Sequence, residues 1–363
     1  MGTVIQVVQR LQPGGIETLV LDLASLTSQK HKVFIISLEG NKNQSLANWP
    51  RLDSFSKQLI FLNKKPGWRL KSLTNLIKIY QDLNPDVVHT HHIGPLIYGG
   101  LAARMTGIQC LVHTEHDAWH LKNFKRRILQ RLAFNFTNPH LVADSKHVAY
   151  ALEKRLPGCK PIVIPNGINI NHFVPGNKSE ARRKLNLPLK DKIIGCAARL
   201  EPVKGHRYLL TALKTLDNDI HLALAGNGQE KEALKKQAQS LNISHRVHFL
   251  GHVNNMPSFY QSLDVFCLPS LCEGLPLSPL EAQSCGIPVV VTRTGGSPES
   301  TCTSSGLIVE PGQISELALA LNTLLSTPQH KNPREFTKKC GDVRIMIEAY
   351  ESIYNNKKAS SFY

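Results

Sequence analysis

Residues 264–300 read DVFCLPSLCEGLPLSPLEAQSCGIPVVVTRTGGSPES, and the order of elements in this stretch decides the fold. Val265 to Leu268 is a short apolar run, a helix is expected to begin near Ser278, and a second apolar run follows at Pro288 to Val291. Strand, helix and strand in that order, with apolar runs that do not alternate, is the sequence form of a parallel sheet covered by helices on both faces.

Outward from it the alternation continues almost throughout. Strands are expected near Val4 to Val8, Val33 to Ile36, Leu59 to Leu62, Asp86 to His89, Cys110 to His113, His140 to Ala143 and Ile162 to Ile164. A second set is expected near Lys192 to Ala197, His221 to Ala225, Val247 to Leu250, Val265 to Leu268, Pro288 to Val291 and Gly306 to Val309. Each set is enough for one doubly wound, Rossmann-like α/β domain. At 363 residues the chain also exceeds the length at which one core stops growing. The turn formers around Asn166-Gly167 and Pro175-Gly176 mark the passage between domains. The expected division is 1–170, 171–340, and a C-terminal segment 341–363 whose amphipathic stretch Arg344 to Tyr354 either covers a groove or returns to the first domain.

Composition narrows the function classes. Forty-three Lys and Arg against 27 Asp and Glu leave a net charge of +16, which favours phosphorylated ligands, anionic membrane or nucleic acid. Aromatic content of 6% with no recognisable binding module argues against nucleic acid. The eight cysteines form no CxxC pair and several sit in apolar runs, as small core residues of a reduced protein do. MGTVIQVVQR reads as a first strand and not a signal peptide, and no apolar run approaches membrane-spanning length, so a cytoplasmic protein is expected.

Three motifs carry chemistry. QPGGIE, Gln12 to Glu17, joins the first strand to a helix, and Gly14 and Gly15 there let backbone amides approach a phosphate at a helix N-terminus, although such turns are common structural features. CAARLEPVKGHRYLL brings Arg199 and Lys204 to one loop at a strand's carboxyl end, a pair suited to a diphosphate and equally readable as a solvated basic loop. In 264–300, Glu273 stands in a loop and Glu281 in the first turn of the following helix, so both carboxylates can face one polyhydroxylated ligand. Decoration of a helix N-terminus by acids accounts for Glu281 but not for Glu273.

With PDVVHTH, VHTEHD, VADSKHV, VIPNGIN, LALAGNGQE and VHFLGHV falling in order between them, these motifs resemble the retaining glycosyltransferases of family four, of GT-B fold, from about Val4 to Val309. The resemblance implies two Rossmann-like domains with a cleft between them, the donor mostly on the second domain and the acceptor on the first. It implies a hexose donor such as a UDP- or GDP-sugar, no tightly bound cofactor and no metal. Gly14 and Gly15 would lie by the distal phosphate, His116 by the donor sugar and reacting centre, and Arg199 and Lys204 on the diphosphate. Glu273 would accept from sugar hydroxyls, with Gly274, Leu275 and Leu277 beside it. Glu281 would hold the ribose, and Gly226 and Val253 would flank the base. The sequence departs from the family at EGLPL, where EGFGL is commoner, and Pro276 offers no amide there.

Two further features have competing readings. His89, His91, His92, His113, His116 and His120 invite a metal-dependent hydrolase, but acidic ligands at metal spacing are missing. Leu121, Phe124, Ile128 and Leu132 recur at helical spacing among Lys122, Lys125, Arg126, Arg127 and Arg131. Residues 121–136 are then either a core helix with its charges in water or a basic amphipathic helix on an anionic membrane surface. The resemblance and the charge together imply a saccharide or lipid-linked acceptor, in polysaccharide or glycolipid synthesis on the cytoplasmic face. A sugar-nucleotide epimerase of related fold and a non-catalytic nucleotide-binding protein stand as rivals to this expectation.

Overall fold

The computed structural model describes residues 2–327 and 332–355. The end of the expected C-terminal segment, 356–363, lies outside them. The strands in chain order are β1 (Thr3–Val8), β2 (Lys32–Ser37), β3 (Leu59–Phe61), β4 (Val87–His91), β5 (Cys110–Glu115), β6 (His140–Ala143) and β7 (Ile162–Val163). They continue as β8 (Lys192–Ala197), β9 (Ile220–Ala225), β10 (Val247–Gly251), β11 (Val265–Leu268), β12 (Val289–Thr292) and β13 (Leu307–Val309). Each lies within two residues at either end of an expected run, because unbroken apolar runs bounded by turn formers carry a strong local signal.

The chain divides into two units, one of residues up to Asn166 together with those from Val343 onward, the other Gly167–Asp342. The first unit holds a seven-stranded parallel sheet in the order β3-β2-β1-β4-β5-β6-β7. The second holds a six-stranded parallel sheet in the order β10-β9-β8-β11-β12-β13. In both, the strand order reverses beside the unit's first strand, the arrangement of a doubly wound fold.

Each unit has its own core. In the first, Ile5, Val7, Ile36, Val88, Leu111 and Ala143 of the sheet pack with Leu76, Tyr80, Leu96 and Leu152 from helices. In the second, Ile194, Cys196, Leu222, Leu224 and Val290 pack with Leu209, Leu213, Leu317 and Leu321. Each such side chain taken fully out of water stabilises its unit by about 1.5–3 kcal/mol before the entropy of ordering the chain is subtracted.

The helix Val343–Asn355 belongs to the first unit, where Lys30 Nζ donates to Glu351 Oε2 at 2.6 Å and Tyr350 and Tyr354 are buried. None of the eight cysteines is in a disulfide; Cys110, Cys196, Cys267, Cys285 and Cys302 are buried, whereas Cys340 is exposed. No helix among the described residues is long and apolar enough to cross a membrane.

Candidate functional site

In a doubly wound sheet, ligands bind outside the carboxyl ends of the strands where the order reverses, because successive loops diverge there and leave a crevice. In the second unit the reversal lies between β8 and β11. The loop after β8 closes with a turn over Pro202–Lys204 and a glycine, Gly205, at φ +69°. A Cβ on Gly205 would stand 2.0 Å from the carbonyl oxygen of Pro269, so glycine is what lets this loop meet the loop after β11. The amide of Leu271 donates to the carbonyl of Val203 at 2.7 Å and joins the two.

That junction sets the central contact. Lys204 Nζ donates to Glu273 Oε1 at 2.7 Å, and Ser270 Oγ donates to the same oxygen at 2.6 Å. Both members of the ion pair are largely buried. The loop after β12 holds the backbone of Glu273 from the other side. Thr292 Oγ1 donates to Ser270 O, and the amide of Gly296 donates to Gly274 O at 2.6 Å. Gly295, at φ +56°, leaves room for the carbonyl of Glu273, which a Cβ would approach to 1.9 Å. Leu275 and Leu277 are buried, and the carbonyl of Leu277 accepts from the amide of Glu281 at 2.9 Å.

The other residues expected at a ligand have partners of their own. Glu281, on the helix Ser278–Ser284, accepts from Tyr260 Oη at 2.5 Å. Burial, and then the charge of Glu281, push the Tyr260 hydroxyl well above the ordinary phenol range, so it remains a donor. Arg199 is exposed and pairs with Glu201 at 2.9 Å. Gly226, at φ +139°, donates to the carbonyl of Gly251 at 2.7 Å, and its Cβ would stand 2.1 Å from the carbonyl of Ala198. The ends of β8, β9 and β10 are therefore in contact through backbone, with Val253 two residues further along the turn. Thus Lys204 and Glu273 are joined directly, while Arg199, on the loop after β8, and Glu281, on the helix Ser278–Ser284, have separate partners.

Ser270 and Tyr260 were not among the expected residues. Ser270 stands only three residues before Glu273, a local proximity that the loop turns into a side-chain bond. Tyr260 had none, since it meets Glu281 only through the fold.

In the first unit, Gly14 caps the helix Gly15–Thr27, and a Cβ on Gly15 would meet nothing within 4 Å. The histidines form a network across the strands. His91 Nε2 is 2.9 Å from Gln6 Oε1, and His91 Nδ1 is 3.0 Å from His116 Nε2. His116 Nδ1 faces Asp144 Oδ2 at 3.6 Å. His89 lies between Tyr354 Oη and Thr114 Oγ1, each at 2.8 Å. His113 lies between Thr90 Oγ1 at 2.9 Å and Glu115 Oε1 at 2.8 Å. His120 bonds Asp117 and Gln130. Burial drives His89 and His91 well below the usual imidazole range, so both are neutral. These nitrogens point at neighbours and do not converge, and no set of three or more His, Cys, Asp or Glu among the described residues is arranged to hold a metal ion.

The helix Phe124–Thr137 corrects one reading of the basic segment. Its core face is Gln130, Ala133, Phe134 and Thr137, while Phe124, Ile128, Leu129, Leu132 and Phe136 face outward, Phe124 and Phe136 with 64% and 70% of their surface exposed. Phe134 and Ala133 fit against the sheet, and Gln130 bonds Glu115, so the docked face is not the one with most apolar residues. The core-helix reading of Phe124, Ile128 and Leu132 therefore fails.

The family model for Glycosyltransferase Family 4 matches residues 13–172, and that for Glycosyl transferases group 1 matches residues 177–340. The chain belongs to the family 4, group 1 glycosyltransferases. Among curated relatives of this glycosyltransferase-family chain, a UDP-Gal:alpha-D-GlcNAc-diphosphoundecaprenol alpha-1,3-galactosyltransferase of Escherichia coli is 33% identical over 244 residues, 63% of each chain. An uncharacterized glycosyltransferase of Haemophilus influenzae is 28% identical over 357 residues, 93% of this chain and 92% of its own. The matched stretch thus spans somewhat under two-thirds of the E. coli relative. Among solved structures, Anabaena HepE in complex with UDP-glucose superposes with a TM-score of 0.85 at 22% identity, covering 98% of this chain and 100% of that one, which gives this family member the GT-B fold.

Proposed function

We propose that this family member transfers a hexose from a nucleoside-diphosphate donor to a lipid-linked saccharide at a membrane surface, with retention at the anomeric carbon. The observation that carries the reading is the Lys204–Glu273 pair at the strand-order reversal of the second unit. An ammonium that already neutralises a carboxylate there can be shared with a diphosphate, while the carboxylate accepts from sugar hydroxyls. Arg199, exposed and paired with Glu201, is the cation that exchanges its partner for the phosphates.

The chemistry follows from charge. Breaking the bond between the anomeric carbon and the diphosphate oxygen leaves growing negative charge on the leaving group. Lys204 and Arg199 stabilise that charge more than they stabilise the bound substrate, which lowers the barrier without a dedicated metal. The glutamates act on hydroxyls: Glu273 grips the sugar, and Glu281, oriented by Tyr260, grips the ribose. Gly226 and Val253 flank the base, and the Gly14–Gly15 turn offers amides to a phosphate. His116, buried and bonded to His91, is the residue that the family resemblance assigns to the transferred sugar.

The acceptor class is supported by the outward stripe Phe124, Ile128, Leu132 and Phe136 with Lys125, Arg127 and Arg131 beside it. Apolar side chains entering the acyl boundary with cations at the headgroups suit an anionic bilayer on the cytoplasmic face. The E. coli relative's name describes a UDP-galactose donor and a diphosphoundecaprenol-linked acceptor, and the Anabaena structure holds UDP-glucose. A thermal-shift panel of UDP-, GDP- and dTDP-sugars, followed by NMR of the product's anomeric configuration, tests the reading. An inverted product, or stabilisation by none of the donors, overturns it.

A further inference from the structure

Six non-glycine residues among those described have positive φ, and five of them are asparagines, the side chain that best tolerates left-handed backbone. The sixth is His92, at φ 69° and ψ 163°. That combination belongs to a region that glycine alone occupies without strain, costing other residues about 1–3 kcal/mol. The strain is held from both sides. The amide of His92 donates to Thr114 O at 3.3 Å, and its carbonyl accepts from the amide of Leu96 at 3.1 Å.

His92 follows directly on β4, and β4 flanks β1 where the first unit's strand order reverses. This is the position at which a doubly wound sheet opens to ligands. Its neighbours in the cluster are withdrawn from solvent. His91 is bonded through both ring nitrogens, and His116, 4% exposed, is bonded to His91 through Nε2, while its Nδ1 stands 3.6 Å from Asp144 with no hydrogen bond among the described residues. His92 is half-buried, and its ring stands edge-on to that of His116 with centroids 5.4 Å apart. Neither nitrogen of His92 has a hydrogen-bond partner among the described residues, although every other histidine on β4 and β5 has one.

We infer that His92 touches substrate, hydrogen-bonding a saccharide hydroxyl, and that the strained backbone turns its ring out of the buried network. Burial pushes it down to about 4, with His116 adding to the effect, so the ring is neutral and offers one N–H and one lone pair, a match for a hydroxyl that donates and accepts. His116 then sets the ring's position from behind. The inference rests on the glycosyltransferase reading for the identity of the saccharide, and not for the accessibility of the ring.

Two measurements test it. Diethylpyrocarbonate labelling of the native chain, mapped by mass spectrometry, should modify His92 and spare His89, His91, His113 and His116. A GlcNAc-diphospho-lipid acceptor together with UDP-galactose should slow the labelling of His92 several-fold. Labelling that those substrates leave unchanged overturns the inference. Second, His92→Gly removes the ring and relieves the backbone, so melting temperature should hold or rise while kcat/KM falls at least about tenfold, the loss expected when a buried substrate hydroxyl is left unpaired. His92→Asn, which tolerates positive φ and keeps a donor and an acceptor, should recover part of it. Wild-type kinetics in His92→Gly would sink the assignment, whereas a wild-type chain that turned over no sugar nucleotide would sink the glycosyltransferase reading and leave the accessibility result standing.

Discussion

Lys204 Nζ and Glu273 Oε1 are 2.7 Å apart although 69 residues separate them in the chain, and the contact spans the loops after β8 and β11. Removing either partner strands the other in a largely buried place. Lys204→Ala and Glu273→Ala should each lower turnover by about 10²–10³-fold, the usual loss when a charge-stabilising group is deleted. Each should also cost about 1–3 kcal/mol of stability. Because the two act through one contact, the double variant should lose far less than the product of the single losses, as steady-state kinetics in a double-mutant cycle would reveal. Additive losses would mean that the two side chains work independently.

Tyr260 donates to Glu281 from a fully buried position, so the hydroxyl is the part of the side chain that Tyr260→Phe isolates. A hydrogen bond to a charged group is worth about 1.5–3 kcal/mol, and the variant should lose stability in that range. If Glu281 grips the donor's ribose, KM for the sugar nucleotide should rise about tenfold with kcat little changed, since uniform binding and not transition-state stabilisation is removed. A fall in kcat alone would argue against the ribose role.

Gly295 offers a test of how the Glu273 loop is held. At φ +56° and with the Glu273 carbonyl where a Cβ would go, alanine there is both strained and obstructed by backbone. Gly295→Ala should destabilise the second unit by more than the about 1 kcal/mol typical of a helix-interior glycine exchange run in reverse, and it should weaken donor binding although residue 295 carries no polar side chain. Calorimetry with and without UDP reads both effects, and an unchanged UDP affinity would detach this loop from the site.

Acid should unfold the second unit earlier than its carboxylates alone would require. His206 is buried with neither ring nitrogen bonded among the described residues, and burial, followed by the nearby Lys204, lowers it from 6.5 to about 4. Between those values the unfolded chain binds a proton that the folded one refuses, so stability rises with pH through the window and is lost as pH falls from 6.5 toward 4. The loss at pH 5 is about 2 kcal/mol. His206→Leu should therefore narrow the gap in melting temperature between pH 7.5 and pH 5. An equal gap in both proteins would mean that His206 is not the group responsible.

The strands were legible because a buried parallel strand is an unbroken apolar run, and Val265–Leu268 or Lys192–Ala197 could be read to the residue. What period does not carry is phase. Residues 124–136 announce an amphipathic helix, but which side docks depends on the partner surface, and Ala133 and Phe134 took the core in place of Phe124 and Ile128. The candidate site divides in the same way. Lys204 and Glu273 stand in motifs whose loops a doubly wound fold must bring to one edge. Tyr260 on Glu281 and the backbone of His92 depend on three-dimensional placement, with no local spacing to betray them.

The outward stripe on the helix Phe124–Thr137 leads to the last prediction. An apolar face left in water adds nothing to the core, and the proposed membrane surface would give it a partner. Two terms should separate in a vesicle assay. Charge reversal at Lys125 and Arg127 removes attraction of about 1 kcal/mol per cation near an anionic surface, and the effect should fade in high salt. Phe124→Ser with Phe136→Ser removes insertion instead and should weaken binding at every salt concentration. Neither pair of changes touches the core face, so stability should stay within about 0.5 kcal/mol of wild type, as for surface substitutions generally. Sedimentation with vesicles of zwitterionic lipid, with and without anionic lipid, distinguishes the terms. Wild-type protein that sediments with neither kind of vesicle would remove the membrane surface from the proposal, while leaving the Lys204–Glu273 site intact.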